Sequence, residues 1–387
     1  NPVKTDVALQ TKVLLNTEQQ QVVDAFAADY DQGVRNTYLL HGITGSGKTE
    51  TYMEMIEHVI AQGKEVIILI PEIALTYQTV LRFYRRFGDK VSVMHSKLSK
   101  GERFDQCERA KRGEIQIMIG PRSALFTPFN NLGLIVIDEE HEGSYKSDAM
   151  PKFHARETAE YIAATCNASV VLGSATPSVT SFYRAKKGQY GFYGLTERFG
   201  KSQLPMVHTV DLRNELKEGN RSMFSRLLYE KMKERLEKKE QIMLFLNRRG
   251  YAGFVTCRSC GYVAKCPHCD VSLTEHGKRK LVCHYCGYEI PKMNTCPECG
   301  SKYISGFRAG TQQIEEKLLE MYPGIRVLRM DADTTKTKDS YEKILEAFRN
   351  KEADVLVGTQ MIVKGHDFPN VTLVGILAAD LSLYADD

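Results

Sequence analysis

The sequence has no apolar run approaching the ~20 residues that a bilayer-spanning helix needs. Its longest apolar stretches, VIILI (66–70) and LGLIVI (132–137), have the length of strands. A spanning helix is therefore excluded, and no membrane partner is expected. The opening NPVKTDVALQTK contains no apolar h-region, so no signal peptide is expected. It also lacks an initiator Met and reads as the start of a fragment. An excess of one charge is missing too. With 52 Lys+Arg against 48 Asp+Glu, the formal net charge of +4 permits a nucleic-acid partner without arguing for one. No low-complexity stretch interrupts the chain. Cysteine is scarce almost everywhere: Cys107 and Cys166 stand alone outside 257–299, and each reads as a small, partly buried side chain.

What is present fills more than one core. A chain of 387 residues suits two ordinary domains and a small module. TEQQQVVDAFAADY (17–30) reads as a helix with Asn16 or Thr17 as its N-cap. Apolar strand candidates follow at 37–41, 65–70, 91–95, 114–120, 132–138 and 169–175, most of them separated by helical patterns. Such alternation implies a parallel sheet covered on both faces. A second set repeats the pattern, with strands at 241–247, 324–330, 353–359 and 371–380 and helices at 225–240, 311–322 and 340–350. The expectation is an α/β chain of two lobes, 1–200 and 201–387, with a cysteine module at 256–302 inserted into the second lobe.

Within the first lobe, HGITGSGKTE matches G-x-x-x-x-G-K-[ST], following a strand and opening a helix. Gly42, Ile43, Thr44, Gly45, Ser46 and Gly47 would wrap phosphates with backbone N–H groups at a helix N-terminus. Lys48 would reach the β- and γ-phosphates of ATP, and the Thr49 hydroxyl would ligate Mg²⁺. The acidic half of such a site is LGLIVIDEEH, a strand ending in Asp138, Glu139, Glu140 and His141. Asp138 would hold Mg²⁺ through water, and Glu139 would orient and activate the attacking water.

Eight of the ten cysteines fall into four C-x-x-C pairs within 257–299. In a chain with ample core this spacing signals metal sites and a reducing, cytoplasmic compartment. Eight thiolates make two closed Cys₄ sites for two Zn²⁺, structural because no coordination position stays open. VSLTEHGKRKLV (271–282) reads as a hairpin, so Cys266/Cys269 would meet Cys283/Cys286, and Cys257/Cys260 would close with Cys296/Cys299. Sequential pairing is the alternative, and an iron–sulfur cluster the alternative occupant. Residues 256–302 carry seven Lys/Arg and four Asp/Glu. Lys278–Lys280 at the hairpin tip would serve single-stranded DNA, a protein contact, or solubility alone.

A P-loop, then DEEH, then GSATP (173–177) is the order of motifs in superfamily 2 helicases. PEIALTYQ (71–78), GPRSALFTPF (120–129), DEEHEGSYKSDAMPKFHARETA (138–159), LFLNRRGYAGF (244–254) and GTQMIVKGHDFPNVTLV (358–374), with the eight cysteines, resemble the PriA family of bacterial replication-restart helicases. The resemblance implies two RecA-like lobes with a two-zinc module in the second, and it supports the nested cysteine pairing. It implies an ATP-driven, 3′-to-5′ DNA helicase that recognises stalled forks. Its partners would be forked and single-stranded DNA, primosome and replicative-helicase loading proteins, and single-stranded DNA-binding protein.

The resemblance also carries residue roles. Gln19 would sense adenine, the alternative being a plain helix-surface residue. His141 would couple the nucleotide site to the lobe cleft, and Ser174, Ala175 and Thr176 would couple hydrolysis to strand movement. Tyr145, Lys146 and Phe153 would belong to an aromatic-rich loop that senses single-stranded DNA, with aromatic faces stacking on bases and cations tracking phosphates. The alternative is that the rings pin the loop to the core. Thr359 and Lys364 would touch the DNA backbone and nucleotide. Arg248 and Arg249 would bind phosphate or form surface ion pairs. Family segments on both sides of the chain, including an arginine-bearing motif beyond Asp387, are missing, so poor hydrolysis by the chain alone is expected. Another superfamily 2 translocase, or a loading scaffold with secondary hydrolysis, are the competing functional readings.

Overall fold

The computed structural model describes residues 13–71, 77–96, 98–198, 204–246, 254–276, 280–306, 310–331, 333–335, 340–362 and 368–380. The chain divides into two compact units, Asn1–Pro205 and Met206–Asp387.

The first unit is built on strands β1 (Thr37–Gly42), β2 (Glu65–Leu69), β3 (Val91–Val93), β4 (Ile117–Gly120), β5 (Leu132–Asp138), β6 (Ser169–Ser174) and β7 (Gly191–Leu195). All pair in parallel, in the order β3-β4-β2-β5-β6-β1-β7. Every residue of β2 is buried, and its alternate side chains enter two different cores. Val66 and Ile68 join Phe26, Tyr52, Ile56 and Phe83, while Ile67 and Leu69 join Ile135, Ala159 and Leu172. This is the double-faced burial that a continuous apolar strand implies. The helices are α1 (Thr17–Asp31), α2 (Lys48–Ala61), α3 (Tyr77–Phe87), α4 (Lys100–Lys111), α5 (Ala155–Cys166) and α6 (Val179–Lys186). Asn16 caps α1 in a reciprocal capping box with Gln19. β7 lies outside the expected strands because four of the five residues in its GFYGL pattern are glycine or aromatic. It forms by stacking the Tyr193 ring on that of Tyr38, centroids 5.1 Å apart at 10°.

The order β5-β6-β1 has a functional consequence. It sets the C-terminal ends of the strands carrying DEEH, GSATP and the P-loop side by side, where α/β sheets bind ligands.

The second unit contains α7 (Leu212–Lys217), α8 (Arg226–Glu237), β8 (Gln241–Leu246), α9 (Thr311–Met321), β14 (Val327–Met330), α10 (Ser340–Arg349), β15 (Val355–Gly358) and β16 (Val371–Leu377). Its sheet runs β14-β15-β8-β16, all parallel. Between β8 and α9 the chain builds the cysteine module. Strands β9 (Val255–Cys257) and β13 (Ile304–Gly306) pair antiparallel at its base, and β10 (Thr274–His276), β11 (Lys280–Val282) and β12 (Glu289–Pro291) form an antiparallel sheet. The expected hairpin is therefore present as β10–β11. The fold is a parallel-sheet α/β one in both units, with a two-Cys₄ insertion in the second.

Candidate nucleotide site and metal centres

The phosphate loop is a tight structure held from both sides. Gly45 and Gly47 each have φ 80°, in the left-handed region that favours glycine. A Cβ on Gly47 would strike the Gln19 side-chain amide, and one on Gly42 would meet Ser46 Oγ at 2.5 Å. Gln19, 1% exposed, accepts from Asn16 N at 2.8 Å and donates to the Ser46 carbonyl at 2.8 Å. It thus ties the α1 cap to the loop rather than lying on a helix surface. Lys48 Nζ donates to the Gly42 carbonyl at 2.8 Å, folded back across the turn. Ile43, Thr44 and Gly45 are exposed, and Lys48 and Thr49 half-buried. Two features fit a phosphate chain: α2 has Gly47 as its N-cap and so no side-chain cap, and Ser46 Oγ is buried without a partner among the described residues.

Across the strand ends, Asp138 closes β5. Its Oδ1 accepts from the Tyr52 hydroxyl at 3.3 Å and from Glu139 N at 3.1 Å. Asp138 keeps part of its surface open at the strand end but is otherwise enclosed by protein. That enclosure, with the Glu139 charge beside it, pushes its carboxyl up to about 6, against the pull of Lys48. Burial also raises the Tyr52 and Tyr145 phenols well above their ordinary value, keeping both as donors. Gly173 on β6 is required here, because a Cβ there would overlap the Tyr52 hydroxyl.

Glu139 adopts φ 49°, a backbone state rare for a residue with a side chain and found where function holds strain. Glu140 turns the other way. Its side chain is fully buried and accepts from Ser178 N at 2.6 Å, Ser178 Oγ at 3.1 Å and Ser181 Oγ at 2.9 Å, with Arg156 Nη1 at 3.5 Å. Glu140 was expected to help hold nucleotide; in the structure its carboxylate is engaged by the start of α6 and by α5. His141 Nδ1 lies 2.7 Å from Ser174 Oγ, and Thr176 N donates to the same oxygen at 2.9 Å. DEEH and GSATP thus meet through direct hydrogen bonds, with Thr176 exposed and Ala175 half-buried.

The aromatic loop divides. Tyr145, expected to stack on bases, is 1% exposed, and its hydroxyl bonds the carbonyls of Leu69 (3.0 Å) and Asp138 (2.7 Å). Its ring pins the loop to the core. Phe153 is half-buried, edge-on to the exposed Phe126 ring at 5.2 Å, while Lys146 and Lys152 are exposed. In the second unit Thr359 is half-buried after β15. Lys364, Arg248, Arg249, Lys278 and Arg279 lie outside the described residues, as do 72–76 of PEIALTYQ. Sequence reasoning missed Tyr52, Ser178 and Ser181, which carried no spacing signal toward this site.

The cysteines gather into two sets among the described residues, Cys257/Cys260/Cys296/Cys299 and Cys266/Cys269/Cys283/Cys286, with all four Sγ atoms of a set within 4.8 Å. The nested arrangement is the one observed. Sγ–Sγ separations of 3.6 Å (Cys257–Cys299 and Cys260–Cys296) and 3.5 Å (Cys266–Cys286) fit a tetrahedron of sulfur around Zn²⁺ at ~2.3 Å. The module is seated on its own unit by Arg258 Nη1, which donates to the Arg221 carbonyl at 2.7 Å, and by Arg213 Nη1 to the Cys260 carbonyl at 3.3 Å.

Among the described residues no helix is long and apolar enough to cross a membrane. Residues 12–179 match the family described as the type III restriction enzyme res subunit, and 301–386 the helicase conserved C-terminal domain. Residues 266–291 match the PriA DNA helicase Cys-rich region domain. The replication restart protein PriA of Bacillus subtilis (strain 168) is 53% identical over 375 residues, covering 96% of this chain and 46% of that protein. Its counterpart in Haemophilus influenzae (strain ATCC 51907 / DSM 11121 / KW20 / Rd) is 40% identical over 393 residues, covering 100% of this chain and 53% of that protein. The chain thus spans about half the length of the curated relatives it matches. Among solved structures, the helicase MrfA bound to DNA aligns with a TM-score of 0.52 at 14% identity, over 97% of this chain and 49% of that one. RecG bound to a three-way DNA junction aligns with a TM-score of 0.50 at 15% identity, over 94% and 38%. Both likenesses concern the fold. The cysteine-region match and the identity to replication restart proteins along nearly its whole length lead to one conclusion: the chain belongs to the PriA family.

Proposed function

We propose that this chain is the motor of an ATP-dependent, 3′-to-5′ DNA helicase that acts at stalled replication forks and initiates primosome assembly. The observation that carries the reading is the meeting of P-loop, DEEH and GSATP on three neighbouring strand ends, joined by the His141–Ser174 bond. Relatives named replication restart protein support the setting. Its partners would be forked and single-stranded DNA, helicase-loading proteins and single-stranded DNA-binding protein, in the cytoplasm.

The residues divide the work as follows. The α2 N-terminus and the amides of 43–47 receive the phosphates, and Lys48 Nζ exchanges the Gly42 carbonyl for a phosphate oxygen. Thr49 and Asp138 would hold Mg²⁺, which when bound neutralises charge building on the phosphates. Glu139 takes the proton of the attacking water, its position fixed by the strained turn at φ 49°. His141 reports the state of Glu139, 3.6 Å away, to Ser174 and Thr176. Two Zn²⁺ hold the module in shape and take no part in the reaction.

The test is unwinding by the full-length protein on forked DNA with a 3′ or a 5′ tail, and on the equivalent RNA. Unwinding of the DNA fork with 3′-to-5′ polarity supports the reading. Preference for RNA would move the protein to another class of translocase. Fork binding without unwinding or turnover would favour a loading scaffold.

A further inference from the structure

The cysteine module brings a further pair of metal-ligating side chains together. His276 ends β10, and His284 lies two residues beyond β11, inside the Cys283–Cys286 knuckle. The two rings converge at their edges. Nε2 of one stands 3.1 Å from Nε2 of the other, with ring centroids 4.8 Å apart and planes at 62°. Both residues are exposed, so burial does not force the rings together. The backbone that carries them is well tied. β10 pairs with β11 from Thr274–Val282 to His276–Lys280, and β11 pairs in turn with β12. In the knuckle, Cys283 N donates to the Tyr288 carbonyl at 2.8 Å and Gly287 N to the Cys283 carbonyl at 3.0 Å.

We propose that His276 and His284 form a third metal site, which takes one exchangeable divalent transition ion of the Zn²⁺ or Ni²⁺ class. Imidazole nitrogen binds Zn²⁺ at ~2.0–2.1 Å, and an ion at that distance from both Nε2 atoms sees them at roughly 100°. That angle lies between the ~90° of an octahedral shell and the ~109° of a tetrahedral one. Water completes the shell, as the exposure of both residues allows. Ring nitrogens suit Zn²⁺ and Ni²⁺, whereas Mg²⁺ and Ca²⁺ take oxygen, so the Mg²⁺ of a nucleotide site does not compete. Without an ion, the same approach is a hydrogen bond from one ring to the other. Two imidazoles hold an ion less tightly than a closed set of four thiolates, so the third ion exchanges while the two structural ions stay. Once bound, it closes the chain from His276 to His284, a stretch that carries Lys278, Arg279 and Lys280. The hairpin is thereby fastened to its knuckle and stabilised by mass action. The site draws on none of the eight cysteines and is independent of the function proposed above.

The experiment uses the full-length protein with its structural zinc in place, dialysed into metal-free buffer and then titrated with Zn²⁺ in the presence of Mg²⁺. Bound zinc is counted by elemental analysis, and hydrogen exchange is followed in peptides covering 273–286. The wild type is expected to take up one more ion per chain than His276→Gln or His284→Gln, and to slow exchange in those peptides as it does so. Both variants keep the structural zinc, and their affinity for the further ion falls about 10²-fold, the gain that a second tethered ligand supplies. Ni²⁺ in place of Zn²⁺ gives the same extra equivalent in the wild type, and Mg²⁺ alone gives none. Equal uptake by the wild type and both variants, or uptake without slower exchange, marks an adventitious ion only and overturns the proposal. His276 lies outside the four knuckles, so if His284→Gln disturbs the structural zinc, His276→Gln decides by the same count.

Discussion

The nucleotide-site face of the first unit and the cysteine module of the second reach order by opposite means. The first rests on a seven-stranded sheet buried on both faces, so its polar side chains can be set by hydrogen bonds to one another. Tyr52, Tyr145, Glu140 and Arg156 are all buried and bonded there. Among its described residues the module has strands of three residues and a core of nine buried side chains, four of them cysteines. Such a core offers too little apolar area to hold the chain, and the metals replace it. One region positions chemistry through its core, and the other uses chemistry to replace a core.

Zinc removal breaks this comparison most strongly. Structural Zn²⁺ sites contribute an apparent ~10–16 kcal/mol, so chelation should unfold the module outright. Hydrogen exchange should then rise throughout 255–306, while peptides from β1, β2, β5 and β6 keep their protection. The converse is Lys48→Ala, which should lower ATP turnover of the full-length protein by about 10²-fold or more, as loss of one charge-stabilising group does. Elemental analysis should still find two zinc per chain. Gly173→Ala tests the packing of the first region alone. Displacing the Tyr52 hydroxyl should cost about 1–3 kcal/mol in a denaturant titration and leave zinc content untouched.

The smallest effect concerns the seat of the module. Glu215 accepts from Asn220 Nδ2 and Arg226 N, at 2.6 and 3.0 Å, and orders the segment that Arg258 grips. Those bonds, Asn220 first, pull its carboxyl down to about 2 from an ordinary 4.5. Its folded value is the lower one, so its contribution is complete above about pH 4.5 and is lost as pH falls toward 2. The stability gap between wild type and Glu215→Gln should therefore be widest at neutral pH and close on acidification, as read from melts across that range.

The two regions also differed in how far the sequence announced them. Cysteine spacing and one hairpin were enough to anticipate which thiolates meet, because each C-x-x-C knuckle is a local structure and only four had to be paired. The P-loop and DEEH were legible for the same reason, as short motifs on a strand end. The connectors were not. Glu140 directly follows the carboxylates proposed for the reaction, yet it faces Arg156 and Ser181, 16 and 41 positions away. For Tyr145 the sequence left open a base-stacking ring or a pin for the loop, and its burial depends on two backbone carbonyls that accept from its hydroxyl. Side-chain direction at a strand end is set by contacts distant in sequence, which periodicity does not record. β7 was missed because an edge strand rich in glycine shows no apolar alternation.

The most direct measurement is steady-state ATP hydrolysis by the full-length protein with and without single-stranded DNA, comparing wild type with Glu139→Gln. The account predicts DNA-stimulated turnover in the wild type and a loss of roughly 10²-fold or more in Glu139→Gln, the scale of general base catalysis, with nucleotide still bound. Equal turnover in the two proteins, or turnover indifferent to DNA, would contradict it.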